Sequence, residues 1–242
     1  MARSLSGSDR IRNACKFLGT VLAATLAITI VAPSPASAET PQIGLDQSDR
    51  QQLHDFFAQY GVDPGTADTL IESLEAGEAW DSLTGASPVS TEIQRQENQV
   101  VDISTYEDGS IAVSVVPDLH PEVSATSGHA TPQSVSGCTL RSTPSIDYYD
   151  QCLARVDLGV IMMGFYMDFQ RVYLQGAQIT RYWGHHHRVI GGALSSHRLE
   201  QWSPTQVRYS ADVSLAFEGF PVGWTAWMQA NVSMTHAWTT NN

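Results

Sequence analysis

The chain has 242 residues, 42% of them hydrophobic and 16% charged, with a formal net charge of −12. That length suffices for a buried core in one or two domains, and the acidic balance excludes a general nucleic-acid binder, which needs clustered Lys and Arg to hold phosphates. Collagen, a coiled coil and a wholly disordered chain are also excluded by composition.

Residues 1–16 carry Arg3, Arg10, Arg12 and Lys16 against Asp9 alone; residues 17–32 are uncharged and mostly apolar; Ala36-Ser37-Ala38 closes the segment. A basic start, a short apolar middle and an Ala-x-Ala exit predict a secretory signal peptide over 1–38, cleaved before Glu39. The apolar stretch falls short of the ~20 residues of a spanning helix, so a secreted, extracellular protein with no membrane span after cleavage is expected. The mature chain then holds nine basic residues, all arginine, against 24 acidic ones. Its two cysteines, Cys138 and Cys152, form an even pair in an exported chain, which predicts a disulfide rather than a metal or redox site.

Charge and aromatic content divide the mature chain. Residues 39–136 hold 17 acidic residues against Arg50 and Arg95, whereas residues 137–242 hold seven of each sign and five of the six tryptophans. Between them, 118–137 is rich in Ser, Thr, Pro, Gly and His, the composition of a flexible linker. The expected organisation is an acidic helical-hairpin and β-hairpin domain over 39–117, then a disulfide-stapled all-β domain over 138–242.

In the first region, Ser48 and Gln51 stand at capping-box spacing, and Leu53, Phe56, Phe57 and Tyr60 recur as one helical stripe ended by Gly61. Asp63 and Pro64 open a second helix by the N-cap and N1 rules, with the stripe Ala67, Leu70, Ile71 and Leu74 and a stop at Gly77. Acidic pairs on that helix, such as Glu72 and Glu75, read as a solvated face. Val101, Ile103 and Thr105 then alternate, as do Ile111, Val113 and Val115 beyond Glu107-Asp108-Gly109. A three-residue loop with Gly109 left-handed pairs apolar residue with apolar residue, whereas a two-residue turn sets Val113 and Val115 against polar neighbours; the first register is therefore predicted.

The run Leu74-Glu75-Ala76-Gly77-Glu78-Ala79-Trp80-Asp81-Ser82, then Pro88-Val89-Ser90, then Tyr106-Glu107-Asp108-Gly109-Ser110-Ile111 resembles a segment recurring in uncharacterised exported actinobacterial proteins. The resemblance covers under a fifth of the chain. It implies export and no particular activity.

From residue 138 onward the pattern is β. Ile161, Met163, Phe165, Met167 and Phe169 alternate with smaller or polar neighbours, Val207 to Phe217 alternates against Arg208, Ser210, Asp212, Ser214 and Glu218, and Trp224 to Met234 alternates again. Period-2 patterning with turns at Gly191-Gly192 and over 219–223 predicts an antiparallel sandwich or barrel, making the whole chain α+β.

No nucleophile elbow, zinc-protease helix, phosphate loop or dinucleotide fingerprint is present. The unusual cluster is His185-His186-His187 with His197 downstream. A hairpin turning at Ile190-Gly191-Gly192 pairs His185 with His197 and puts His185, His187 and His197 on one face, where three imidazoles are a candidate Zn²⁺ ligand set with an open fourth position. The alternative is a row of hydrogen-bonded polar strand residues, since no carboxylate is fixed beside them. Trp224 falls in phase with the apolar stripe and belongs to the core; Trp227 falls out of phase, faces outward and is a candidate binding residue. Asn231-Val232-Ser233 matches a glycosylation sequon, which a bacterial origin would make irrelevant. Three functions compete: a secreted non-enzymatic binding or assembly module without cofactor that recognises an extracellular protein or surface glycan; a metal-dependent hydrolase using the histidines; and a carbohydrate-binding domain. The missing catalytic motifs favour the first.

Overall fold

A computed structural model describes residues 45–96, 99–119, 138–215 and 224–242. The leader predicted over 1–38, most of 118–137 and the turn at 219–223 lie outside them. Three helices, α1 (Gln47–Gln59), α2 (Pro64–Glu75) and α3 (Asp81–Thr84), are followed by strands β1 (Ser90–Gln96), β2 (Gln99–Thr105), β3 (Ile111–Pro117), β4 (Thr139–Ser142), β5 (Ile146–Asp157), β6 (Ile161–Val172), β7 (Gly176–Val189), β8 (Gly192–Ser203), β9 (Gln206–Leu215), β10 (Thr225–Val232) and β11 (Ala237–Asn241). The protein is mostly β with antiparallel pairing throughout.

The helical stripes are buried as their spacing requires: Leu53, Phe56 and Phe57 on α1; Ala67, Leu70, Ile71 and Leu74 on α2. α1 starts earlier than Ser48. Asp46 is its N-cap and Asp49 the reciprocal partner, because a carboxylate at each position satisfies both free amides of the first turn. Asp63 caps α2 through the amides of Gly65 and Thr66, with Pro64 at its start. Trp80 locks the helices together: its ring lies 5.3 Å from that of Phe57 and its indole N–H donates to the Leu70 carbonyl at 2.7 Å.

The β2–β3 register is the predicted one, Thr105 opposite Ile111, Ile103 opposite Val113 and Val101 opposite Val115, with Gly109 at φ +87°. A methyl at Gly109 meets the Thr66 side chain at 2.5 Å, so this turn is pressed against α2 and admits no side chain there. Strand β1, whose mixed polar sequence has no apolar alternation, adds to the edge of β2.

The composition boundary at 118–137 does not divide the fold. β3 pairs with β5, with Val113 opposite Asp157 and Val115 opposite Arg155, so the acidic region and the Trp-rich region share one sheet of order β1-β2-β3-β5-β6-β7, with β4 also paired to β5. The described residues from Leu45 to Asn242 accordingly belong to one compact unit. Backbone ladder bonds decide membership of a sheet, and charge composition does not report them. Cys138 and Cys152 are bridged, with Cα atoms 4.3 Å apart, tying the start of β4 to β5.

The second sheet has the order β11-β10-β9-β8, and the two sheets do not close into a barrel. One face of each is apolar: Ala154, Val156, Met163, Phe165 and Met167 in the first, Val207, Tyr209, Ala211, Ala226, Met228 and Ala230 in the second, all buried. Val156, Ile161 and Met163 of the first line one small gap with Ala226 and Met228 of the second, and Ser114 on β3 bonds Thr239 on β11 at 2.5 Å. By alternation the opposite face of the first sheet carries Val113, Val115, Arg155 and Asp157. Against this face lies α1, where Tyr60 at its end reaches Arg155.

Candidate functional sites on the two edges and faces

The segment from His185 to His197 is not a hairpin. β7 is the last strand of the first sheet and β8 the last of the second, so the chain turns at Gly191, φ +67°, from one sheet to the other. A turn of this kind brings residues together by facing two sheet edges, where a hairpin would pair their backbones. The three histidines meet all the same. The rings of His187 and His197 stack at 4.5 Å and those of His185 and His197 at 5.9 Å.

Two irregularities aim them. On β7 the register slips so that Gly184 and His185 together face Phe165, with Gly184 at φ +62°; on β8 Ser196, at φ +53°, and His197 together face Ala211. A bulge adds one residue to one strand and re-aims its side chain. Both occur at the histidines.

Beneath the rings lies Tyr209, fully buried on β9, whose hydroxyl sits 2.9 Å from His197 Nδ1 and 3.2 Å from His187 Nδ1. A hydroxyl donates one hydrogen, so with both rings neutral one imidazole accepts it through Nδ1 while the other donates. Burial pushes the Tyr209 hydroxyl up to about 12, so it keeps its proton in the neutral range. Burial, and then the neighbouring His197, His185 and His186, hold His187 below the usual imidazole range. The bonded Nδ1 atoms point inward, and no group of three His, Cys, Asp or Glu side chains among the described residues converges as a metal site requires. His186 falls on the other face, over Gly164, where a methyl would meet its Nε2 at 2.7 Å.

Trp227 does face outward from the second sheet. Its ring and that of Trp202 enclose the Arg208 guanidinium at 4.0 and 3.5 Å, a cation held between two indoles on neighbouring strands. Arg208 also donates through Nε and Nη2 to Gln229 Oε1 at 3.2 and 3.0 Å. Gln206 and Gln229 both donate to Asn231 Oδ1. The sequon residue Asn231 is therefore buried in an amide ladder. Trp202 remains 57% exposed. Alternation alone marked Trp227; the Arg208 partnership is invisible to it, because Trp202 and Arg208 meet only through the β8–β9 register.

A third place escaped the sequence reading. Gln52, Asp55, Phe56 and Gln59 of α1, with Tyr60, Arg155, Asp157 and Arg188, line an open cavity of about 290 Å³ between helix and sheet. Arg188 donates to Asp157 at 3.2 Å and to the Gly159 carbonyl at 3.2 Å. Burial nevertheless raises the Asp157 carboxyl, against the opposing pull of Arg188, the Gly159 amide and Arg155. The available signal was Arg155 and Asp157 alternating with the apolar Ala154 and Val156, which puts two charges on a covered face.

No protein family, curated protein or solved structure matches the chain.

Proposed function

We propose that the protein is a secreted, non-enzymatic binding module that recognises an extracellular partner with the outer face of its second sheet, the two sheets forming a β sandwich. The observation that carries this reading is the Trp202–Arg208–Trp227 arrangement, an exposed indole beside a fixed guanidinium on a rigid strand surface. Aromatic and Arg side chains anchor recognition surfaces because they bring large contact area with little conformational freedom to lose. The bridge between Cys138 and Cys152 and the lack of any long apolar helix among the described residues are compatible with export.

A surface glycan is the partner whose chemistry suits the face. The apolar face of a pyranose stacks on an indole, while guanidinium and amide groups meet its hydroxyls. The hydrolase reading has no such support, since the three imidazoles turn two of their Nδ1 atoms toward Tyr209.

The test is retention of the purified mature protein on insoluble cell-wall polysaccharides, with Trp202→Ala and Trp227→Ala beside the wild type. Retention lost in Trp202→Ala, with an unchanged far-ultraviolet circular dichroism spectrum, supports the proposal. Retention equal in wild type and both variants overturns it, as does no retention of the wild type on any glycan or extracellular protein of the producing strain.

A further inference from the structure

Two arginines, Arg155 and Arg188, and two aspartates, Asp55 and Asp157, line the cavity between α1 and the first sheet, and among them one direct ion pair is formed. Arg188 and Asp157 form a pair at 3.2 Å, and Arg155 acts on the same carboxylate from further away. Arg155 and Asp55 remain. Among the described residues neither lies at ion-pair distance from an opposite charge, although both line the same space. Arg155 reaches the Tyr60 hydroxyl, and Asp55 accepts the Gln51 amide at 2.8 Å.

The two charges without a direct ion pair stand on different elements, Asp55 on the helix and Arg155 on β5, and both line the cavity. A ligand that completes the site must therefore present both signs across a short span. A simple anion satisfies Arg155 and leaves Asp55 facing it; a simple cation does the reverse. We infer that this cavity binds a small zwitterion, a free α-amino acid, with its carboxylate on the Arg155 guanidinium and its ammonium on the Asp55 carboxylate. Arg is suited to the first contact because its planar fork meets a carboxylate in two parallel bonds. The Gln59 amide, 3.2 Å from the Tyr60 hydroxyl, forms a neutral polar wall, and Phe56 supplies an apolar one for the side chain. The volume, about 290 Å³, lies near the lower end of small-ligand pockets, which suits a ligand of this size.

This site is separate from the Trp202 face, so the two proposals fail independently. The experiment is isothermal titration calorimetry of the full mature protein with each free amino acid, with the N-acetyl and carboxamide derivatives of any that binds, and with inorganic phosphate. Binding by at least one free amino acid is expected, weakened tenfold or more by removing either of its charges. Asp55→Asn weakens the free amino acid to the level of its N-acetyl derivative and leaves that derivative's own binding unchanged. Arg155→Gln abolishes both. Asp55 is a surface residue of α1, so Asp55→Asn remains informative if Arg155→Gln proves unfolded by circular dichroism. No binding of any free amino acid overturns the inference, as does equal affinity for phosphate, for the derivatives, or for the Asp55→Asn variant.

Discussion

The outer faces of the two sheets solve the same problem in different ways. On the first sheet, the face that carries Val101, Ile103, Val113 and Val115 is apolar and buried, and α1 lies against its charged end at Arg155 and Asp157. On the second, the outward side chains cover the strands themselves: Trp202 and Trp227 over Arg208, then Gln229, Asn231 and Gln206 in a ladder of amide bonds. From residue 39 onward every Lys or Arg position is an arginine, and the two faces use it in different ways. Arg188 pairs through Nη2 with the Asp157 carboxylate and Arg208 lies between two rings, and a lysine ammonium does not reproduce the second geometry. A sheet face that depends on another element for cover carries its stability in that contact. A face that covers itself is free to carry recognition.

The sharpest way to break this comparison is to remove one tryptophan from each region. Trp80 is buried at the junction of the helices with the β5–β6 turn, where a methyl at Gly159 already meets its ring at 2.9 Å. Trp80→Ala is expected to lose about 3–5 kcal/mol of stability, the range of a buried large-to-small change. Trp202→Ala, at an exposed position, is expected to stay within roughly 0.5 kcal/mol of wild type. Denaturant titration of both variants measures the difference. Equal losses refute the division of labour between the faces.

The bridge comes next in size. It joins β4 to β5 within the first sheet, and the second sheet has no counterpart because residues 39–242 contain only these two cysteines. Replacing both by Ser is expected to cost on the order of 3 kcal/mol, by the loop-closure estimate for a separation of this length. Thiol titration of the native wild type should find no free sulfhydryl. Two free thiols refute the bridge.

What was legible in the sequence follows from which interactions are local. The helical stripes, the Asp63 cap and the β2–β3 register depend on residues close in the chain, and the alternation of β6, β9 and β10 depends only on the period of a strand. Sheet membership depends on partners far away. β3 pairs with β5 across a stretch whose composition reads as a linker, so the domain boundary drawn there was misplaced. The corner at Gly191 failed for a similar reason: a Gly-Gly step fits a hairpin and a crossing between sheets equally well, and only the ladder bonds distinguish them. The histidines nonetheless converged, because inward alternation near both strand ends survives either connection. Tyr209, their shared partner, sits on a third strand and left no local signal. A chain cut within 118–137 is accordingly expected to elute as one particle in size exclusion, and release of a free C-terminal fragment would refute that.

The smallest expected effect is the dependence of stability on pH at this histidine cluster. His187 is held below its ordinary value of 6.5, by burial first and then by the neighbouring histidines. Below about pH 6.5 the unfolded chain therefore binds more protons at this position than the folded one, and stability rises with pH through that window. The stabilisation is complete above the unfolded value and is lost as pH falls toward the depressed folded value. The hydroxyl of Tyr209 makes the cause specific. With both imidazoles protonated, both Nδ1 atoms donate toward one oxygen and its own hydrogen loses its acceptor. His187→Gln is expected to flatten the rise in melting temperature between about pH 5 and about pH 7, since Gln does not titrate there. Tyr209→Phe removes the shared hydroxyl while keeping the ring, and is expected to lower stability at neutral pH by about 1 kcal/mol, the net contribution of a buried hydrogen bond. Neither change touches the outer face of the second sheet, so partner binding at neutral pH should be unaltered in both. A wild-type-like pH profile in His187→Gln places the titrating group elsewhere.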